Sequence, residues 1–297
     1  MWILIANPGA GLIRRRGREV FAPLQAEAAR RGIALEIQWS ESPDDGEAQA
    51  RTAAARGAQL VIAAGGDGTI NRIARGLIGT QTALGLIPGG TVNVLARALG
   101  SGLTLRRATN TLFTGRAREF WPGLVNDQPF LTMAGLGLDA AIVAAADSDP
   151  QLKKSIGRLS YPWTGVRNFG AIPKSPFTGS HLMNPASLVV IGRTPLYGGS
   201  FPLMPDAETW GRTLGLFAAH AFDRRSLLRV TAALALRAGR PAPRSTRLIT
   251  RASGEDFQFD SPVDCDFHVD GEWAGRARNF LLSVSAEPLR VWVPGAE

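Results

Sequence analysis

The chain is poor in cysteine and histidine, with one Cys and three His among 297 residues. A single cysteine, Cys265, permits no internal disulfide, which fits a reducing compartment. The nearest histidine in sequence, His268, sits in a strand-like stretch, so Cys265 gains no support as a nucleophile. Long apolar runs are also missing. None approaches the roughly 20 residues needed to span a bilayer. The run Trp2–Ala6 lacks a basic start and is cut off at once by Asn7-Pro8-Gly9, unlike a signal peptide. These absences predict a cytoplasmic protein. No segment combines low hydrophobicity with high charge, which argues against disorder. There is no internal repeat and no low-complexity tract.

What is present is an ordinary globular composition, 45% apolar and 20% charged, with length for two domains. The net charge of +8, from 33 basic and 25 acidic residues, favours anionic partners: nucleotides, acidic phospholipids or nucleic acid. Solubility alone explains that excess about as well.

The first half alternates strand-like and helix-like segments. Strands are expected at Trp2–Ala6, Ala34–Trp39, Leu60–Ala64 and Ala83–Ile87. Helices are expected at Arg14–Arg31 (Val20, Leu24 and Ala28 on one face), Asp44–Arg56, Ile70–Leu77 and Val92–Leu99. This order implies an α/β domain with a parallel sheet covered on both faces. Ligands of such sheets bind past the C-terminal ends of the strands. After about residue 118 the pattern changes to strands between glycine and proline turns: Pro129–Gly135, Ala186–Gly192, Leu214–Ala219, Asp264–Val269 and Phe280–Ala286. A helix is expected at Ser226–Arg237. Residues 119–297 therefore read as a mainly antiparallel β domain. Arg158–Phe177, aromatic and basic, reads as a loop suited to reversible docking on a membrane surface.

Four motifs carry chemistry. Asn7-Pro8-Gly9-Ala10-Gly11 follows the first strand, where small residues let a backbone approach a ligand; a tight structural turn explains it equally. Gly65-Gly66-Asp67-Gly68-Thr69 follows the third strand. Its glycines suit a nest of N–H groups for phosphate, and Asp67 offers a carboxylate to magnesium or a reacting hydroxyl. Pro88-Gly89-Gly90-Thr91-Val92-Asn93 joins the fourth strand to a helix. Three such loops on one rim are far more specific than any one alone. Val269-Asp270-Gly271-Glu272, taken by itself, reads as a hairpin turn.

Together these motifs resemble the diacylglycerol kinase catalytic family, with its bacterial lipid kinases and sphingosine kinases. They match as Asn-Pro-x-Ala-Gly, Gly-Gly-Asp-Gly-Thr-x-Asn, Pro-x-Gly-Thr-x-Asn-x-x-Ala-Arg and Asp-Gly-Glu, in the family order. Lys153-Lys154 to Tyr161, Tyr197-Gly198-Gly199 and Pro205-Asp206-Ala207 extend the resemblance over nearly the whole chain. It implies an α/β nucleotide domain (1–118) followed by a β-sandwich-like lipid domain (119–297), using ATP and magnesium on a lipid hydroxyl, diacylglycerol foremost. It implies nucleotide contacts at Asn7, Pro8, Gly9, Ala10 and Gly11, at Gly65, Gly66, Asp67, Gly68, Thr69, Ile70 and Asn71, and at Ser40 and Thr91. Asp67 also serves the metal, and Asp270 and Glu272 match the carboxylates beside the acceptor hydroxyl. A nucleic-acid partner is not expected. The alternatives are a catalytically weak lipid- or nucleotide-binding regulator and an NAD kinase, which shares Gly-Gly-Asp-Gly. Three positions depart from the pattern. Arg72 stands for glutamate and Arg193 for asparagine. Gly211-Arg212 stands for an Asp-Gly with which some bacterial members hold a structural magnesium ion.

Overall fold

The computed structural model describes residues 1–42, 45–147, 176–198, 201–235, 240 and 245–295. Lys153, Lys154, Tyr161, Gly199 and nearly all of the expected docking loop Arg158–Phe177 lie outside them. The chain divides into two compact units, Met1–Trp121 with Ala286–Glu297, and Pro122–Ser285.

The first unit is built on a six-stranded sheet. β1 (Trp2–Ala6), β2 (Leu35–Trp39), β3 (Leu60–Gly65) and β4 (Ala83–Pro88) are parallel, in the order β2-β1-β3-β4. β1, β3 and β4 are buried at every residue, as near-continuous apolar runs must be when helices cover both faces. Two further strands close the sheet. β15 (Leu289–Val293) pairs parallel with β4, and β5 (Arg116–Phe120) pairs antiparallel with β15. The last strand of the chain thus belongs to the first unit, whereas the sequence grouped everything after 118 together. Trp2 holds this arrangement by stacking on Phe113 at 5.5 Å and meeting Trp292 of β15 edge-on at 6.4 Å.

The helices of this unit are α1 (Gly11–Arg16), α2 (Ala22–Arg30), α3 (Asp45–Ala55), α4 (Asp67–Arg75), α5 (Val94–Ala98) and α6 (Leu105–Thr114). The expected helix Arg14–Arg31 is broken: Gly17 takes φ 75° and a short 3₁₀ turn, Arg18–Phe21, precedes α2. Its predicted inner face still holds, since Val20, Leu24 and Ala28 are buried. α4 buries Ile70, Ile73 and Ala74, one face at helical spacing. α6 opens on Thr104, whose hydroxyl accepts from Arg107 N at 3.3 Å.

Among its described residues, the second unit has an antiparallel sheet of nine strands. These are β6 (Gly123–Val125), β7 (Gln128–Phe130), β8 (Met133–Gly137), β9 (Thr178–Gly179), β10 (Leu188–Gly192), β11 (Leu214–Ala219), β12 (Ile249–Gly254), β13 (Asp256–Val269) and β14 (Glu272–Val284). Their order is β12-β11-β10-β8-β13-β14-β6-β7, with β9 against β13. The predicted strand Pro129–Gly135 spans the end of β7 and the start of β8. The predicted strands Asp264–Val269 and Phe280–Ala286 are the ends of two long ones. Register shifts after Asp260 and after Phe267 bend that long pair. Its core is aromatic: Phe280 meets Phe177 at 5.9 Å and Phe267 at 5.8 Å, both edge-on. Helices α7 (Leu138–Asp147) and α8 (Arg224–Ala235) belong to this unit. Among the described residues, no helix is long and apolar enough to cross a membrane.

Candidate active site

In the first unit the register brings the three glycine loops to one edge. Ala6 pairs with Trp39 and with Ala64, and Gly65 pairs with Pro88, so β1 to β4 end level. The loops are tied directly to each other. Gly89 N donates to Gly65 O at 2.7 Å and Asn7 Nδ2 donates to Thr69 Oγ1 at 3.0 Å. Asn7 Oδ1 accepts from Gly9 N at 2.8 Å, which shapes the first loop. A Cβ on Gly90 would lie 2.9 Å from Gly66 Cα, so the second and third loops touch main chain to main chain.

Asp67 binds this edge together. Its Oδ2 accepts from Asn93 N at 2.9 Å and its Oδ1 from Val94 N at 2.7 Å, so it satisfies two donors at the start of α5. Asn93 itself is left-handed, φ 54°, and its side chain closes the turn through Gly90 N and O, each at 3.0 Å. The first turn of α4 begins at this same residue, and the positive end of its dipole suits phosphate. Thr91, Pro8 and Gly9 are exposed at this edge, while Ala10 and Asn71 are buried. Ser40, at the end of β2, is buried and donates to Gln49 Oε1 at 3.2 Å. Ile70 is fully buried and its N–H donates to Gly66 O at 3.0 Å.

In the second unit, Asp270 and Gly271 form the two-residue turn between β13 and β14, with φ 52° and 84°. Positive φ at both positions is the geometry that Asp-Gly favours in a tight hairpin. The Asp270 carboxylate reaches back to the segment before β8. Its Oδ1 accepts from Thr132 N (2.7 Å), Thr132 Oγ1 (2.6 Å) and Met133 N (3.1 Å), and its Oδ2 from Leu131 N (2.8 Å). Glu272, the first residue of β14, is half-buried. Asp270 is thus a tether for 131–133, whatever else it does.

The sequence reading missed a fourth carboxylate. Asp139, in the first turn of α7, is buried between two partners. Tyr197 Oη donates to its Oδ1 at 2.6 Å, and His268 Nε2 lies 2.7 Å from its Oδ2. Gly271 N donates to His268 Nδ1 at 3.3 Å, which leaves the His268 proton on Nε2, facing Asp139. A Cβ on Gly135 would collide with both Asp139 and His268, so that position must be glycine for the pair to form. Asp139 and Tyr197 line a cavity of about 390 Å³ whose walls are otherwise mostly apolar, among them Leu188, Val190, Phe217, Leu227 and Val230. The overlooked signal is Gly135-Leu136-Gly137-Leu138-Asp139: glycines ending a strand, then an acid opening a helix, as at Gly65-Gly66-Asp67.

The departures have local explanations in part. Arg193 is fully buried. Its guanidinium donates to Glu208 O (2.8 Å), Gly211 O (3.0 Å), Thr213 O and Thr209 O (both 3.2 Å). Burial, and then neighbouring Arg212, pull its pKa down to about 10, so it stays a cation at neutral pH. A side-chain cation therefore organises the 208–213 loop. The structural magnesium site does not fit here: the carboxylate is missing, and any Cβ at position 211 would meet the Glu208 carboxylate. Among the described residues, no three His, Cys, Asp or Glu converge to hold a metal. Arg72 lies half-buried on α4, beside Gly46 of α3.

Residues 1–125 match the family model of the diacylglycerol kinase catalytic domain. A protein of Cronobacter sakazakii named "probable lipid kinase YegS-like" is 30% identical over 250 residues, covering 81% of this chain and 80% of that one. The chain belongs to the diacylglycerol kinase catalytic-domain family. A diacylglycerol kinase of Bacillus subtilis is 29% identical over 283 residues, 92% of this chain and 89% of its own. A solved diacylglycerol kinase structure from Bacillus anthracis superposes with TM-score 0.72 at 19% identity, over 98% of this chain and 95% of that one, a likeness of fold. This family member is a lipid kinase, and membership implies ATP as the phosphate donor.

Proposed function

We propose that this lipid kinase transfers the γ-phosphoryl group of ATP to the hydroxyl of diacylglycerol, giving phosphatidic acid, at a membrane surface. The observation that carries the reading is the apolar cavity of the second unit with the buried Asp139 carboxylate in its lining. Such walls accommodate acyl chains, and a lone carboxylate among them is an acceptor for a lipid hydroxyl. A second nucleoside, as an NAD kinase requires, would leave its polar edges unpaired against those walls.

In this reading the glycine edge of the first unit holds ATP. Asn7 to Gly11, Gly65 to Thr69, and Thr91 line the phosphates and sugar, with Ser40 and Asn71 behind them. Asp67 would hold a magnesium ion, because one carboxylate plus substrate phosphates is a common magnesium environment. The ion, when bound, neutralises charge on the transferring group. Tyr197 and His268 fix the orientation of Asp139, and Asp139 orients the acceptor hydroxyl. Proton acceptance falls to the Asp270–Glu272 pair, in which Asp270 Oδ1 already accepts three hydrogen bonds.

A catalytically weak lipid-binding regulator is the second reading, favoured by that same saturation of Asp270 and by Arg72 in place of glutamate. Labelled ATP offered with diacylglycerol, sphingoid base and NAD separates the readings: labelled phosphatidic acid is expected. Asp139→Asn should lower kcat on the lipid by at least about tenfold with the KM for ATP unchanged. No product from any acceptor, with ATP and lipid binding intact, leaves the regulator.

A further inference from the structure

Helix α8 has two unlike faces. Leu227, Val230, Thr231 and Leu234, at helical spacing, line the apolar cavity. Arg224, Arg225, Leu228, Arg229, Ala232 and Ala233 point the other way and are exposed. Leu228 is 55% exposed, and Phe222, just before the helix, is 37% exposed. Phe201, part of the cavity lining, is itself 52% exposed. The acidic residue at this end, Asp223, is committed to the cap. It accepts from Ser226 N at 2.8 Å and Ser226 Oγ at 2.9 Å, bonds that hold its pKa below the ordinary carboxylate value. Three arginines against this one aspartate leave the face at +2.

Large apolar side chains in water are unfavourable, and here they stand among arginines rather than alone. That combination, an exposed cationic and apolar face on a short helix, is the pattern of a segment lying in the headgroup region of a bilayer. Guanidinium groups pair with phosphate in a bidentate way, which suits phospholipid headgroups. A protein partner would call for shape and hydrogen-bond complementarity; this face offers mainly charge and apolar contact.

We propose that the outer face of α8, with Phe222 and Phe201, is the docking surface for an anionic phospholipid bilayer. The helix then forms the wall between that bilayer and the lipid cavity, and a substrate enters beside it. The proposal rests on the lipid-kinase reading for its purpose, though not for its test.

The test is sedimentation of the full chain with phosphatidylglycerol-containing vesicles and with pure phosphatidylcholine vesicles. Binding should prefer the anionic vesicles and fall as salt rises. Replacing Arg224, Arg225 and Arg229 together by Gln should weaken binding on the order of 100-fold, at about fivefold per charge. Leu228→Gln with Phe222→Ser should weaken it while keeping the salt dependence. Turnover of a short-chain, water-soluble diacylglycerol should be unchanged in both variants, which also reports the fold. If the triple variant binds anionic vesicles as the wild type does, the docking surface is wrong while the kinase reading stands. If the wild type phosphorylates no lipid but the triple variant still loses vesicle binding, the docking surface stands and the kinase reading falls. A concentration-dependent dimer that Leu228→Gln abolishes, with no vesicle binding, would give this face to a second copy of the chain and overturn the proposal.

Discussion

Asp67 and Asp270 lie in different units, yet each spends its carboxylate on backbone N–H groups of a neighbouring segment. Asp67 ties the second glycine loop to the start of α5 through the N–H groups of Asn93 and Val94. Asp270 ties the hairpin tip to 131–133 with four bonds, three of them on one oxygen. A motif aspartate is thus a structural fastening first. Only the acceptor capacity left over serves chemistry. Asp139 differs: among the described residues its carboxylate meets the side chains of Tyr197 and His268, and it lines an apolar cavity.

The largest expected effect separates chemistry from fastening at Asp67. Asp67→Asn should reduce turnover by about 10²-fold or more, as loss of a charge-stabilising group does. Circular dichroism should show the fold retained with a lowered Tm. Wild-type turnover in that folded variant removes Asp67 from the reaction. The contrasting variant is Asp270→Asn. An amide NH₂ would oppose an N–H of residues 131–133, and charge-assisted bonds would be lost, so stability should fall by about 2–4 kcal/mol. Denaturant unfolding measures this. A stable Asp270→Asn with a severe loss of kcat would reverse the comparison and make Asp270 the proton acceptor.

The smallest effect tests a carboxylate outside both motifs. Hydrogen bonds from Arg56, then Gln38, hold the Glu36 pKa down to about 2. A depressed carboxylate stabilises the fold above its unfolded value, and that contribution disappears as pH falls through about 2. For a pair this exposed it amounts to well under about 1 kcal/mol. Glu36→Gln should therefore shift the unfolding midpoint slightly at pH 7 and not at all at pH 2. A large shift at pH 7 would mean that surface pairs, and not the loop fastenings, dominate the first unit.

Much of the first unit was legible because its signals are local. Apolar runs of five or six residues, helical spacing and glycines at strand ends fixed β1, β3, β4 and the three loops within a residue or two. Gly17 was legible in principle as the break before α2, but a helical pattern continuing past it masked the stop. The second unit was less readable, because long antiparallel strands carry bends and partial exposure that cut their pattern into pieces, as in β13 and β14. Asp-Gly at 270–271 was correctly a hairpin signal, and the structure adds what the side chain holds.

By itself the sequence determined the strand–helix alternation, the rim of phosphate-type loops and the family, since each rests on residues close together in the chain. Tertiary structure alone decided that Leu289–Val293 completes the first sheet. It alone brought His268 and Tyr197 to Asp139, across 129 and 58 residues respectively. It alone set a buried Arg193 among the carbonyls of 208–213, and turned one face of α8 to an apolar cavity and the other to solvent. Such pairings are chosen by burial and hydrogen-bond satisfaction over the whole unit, and no local pattern encodes which distant partner will satisfy a given buried group.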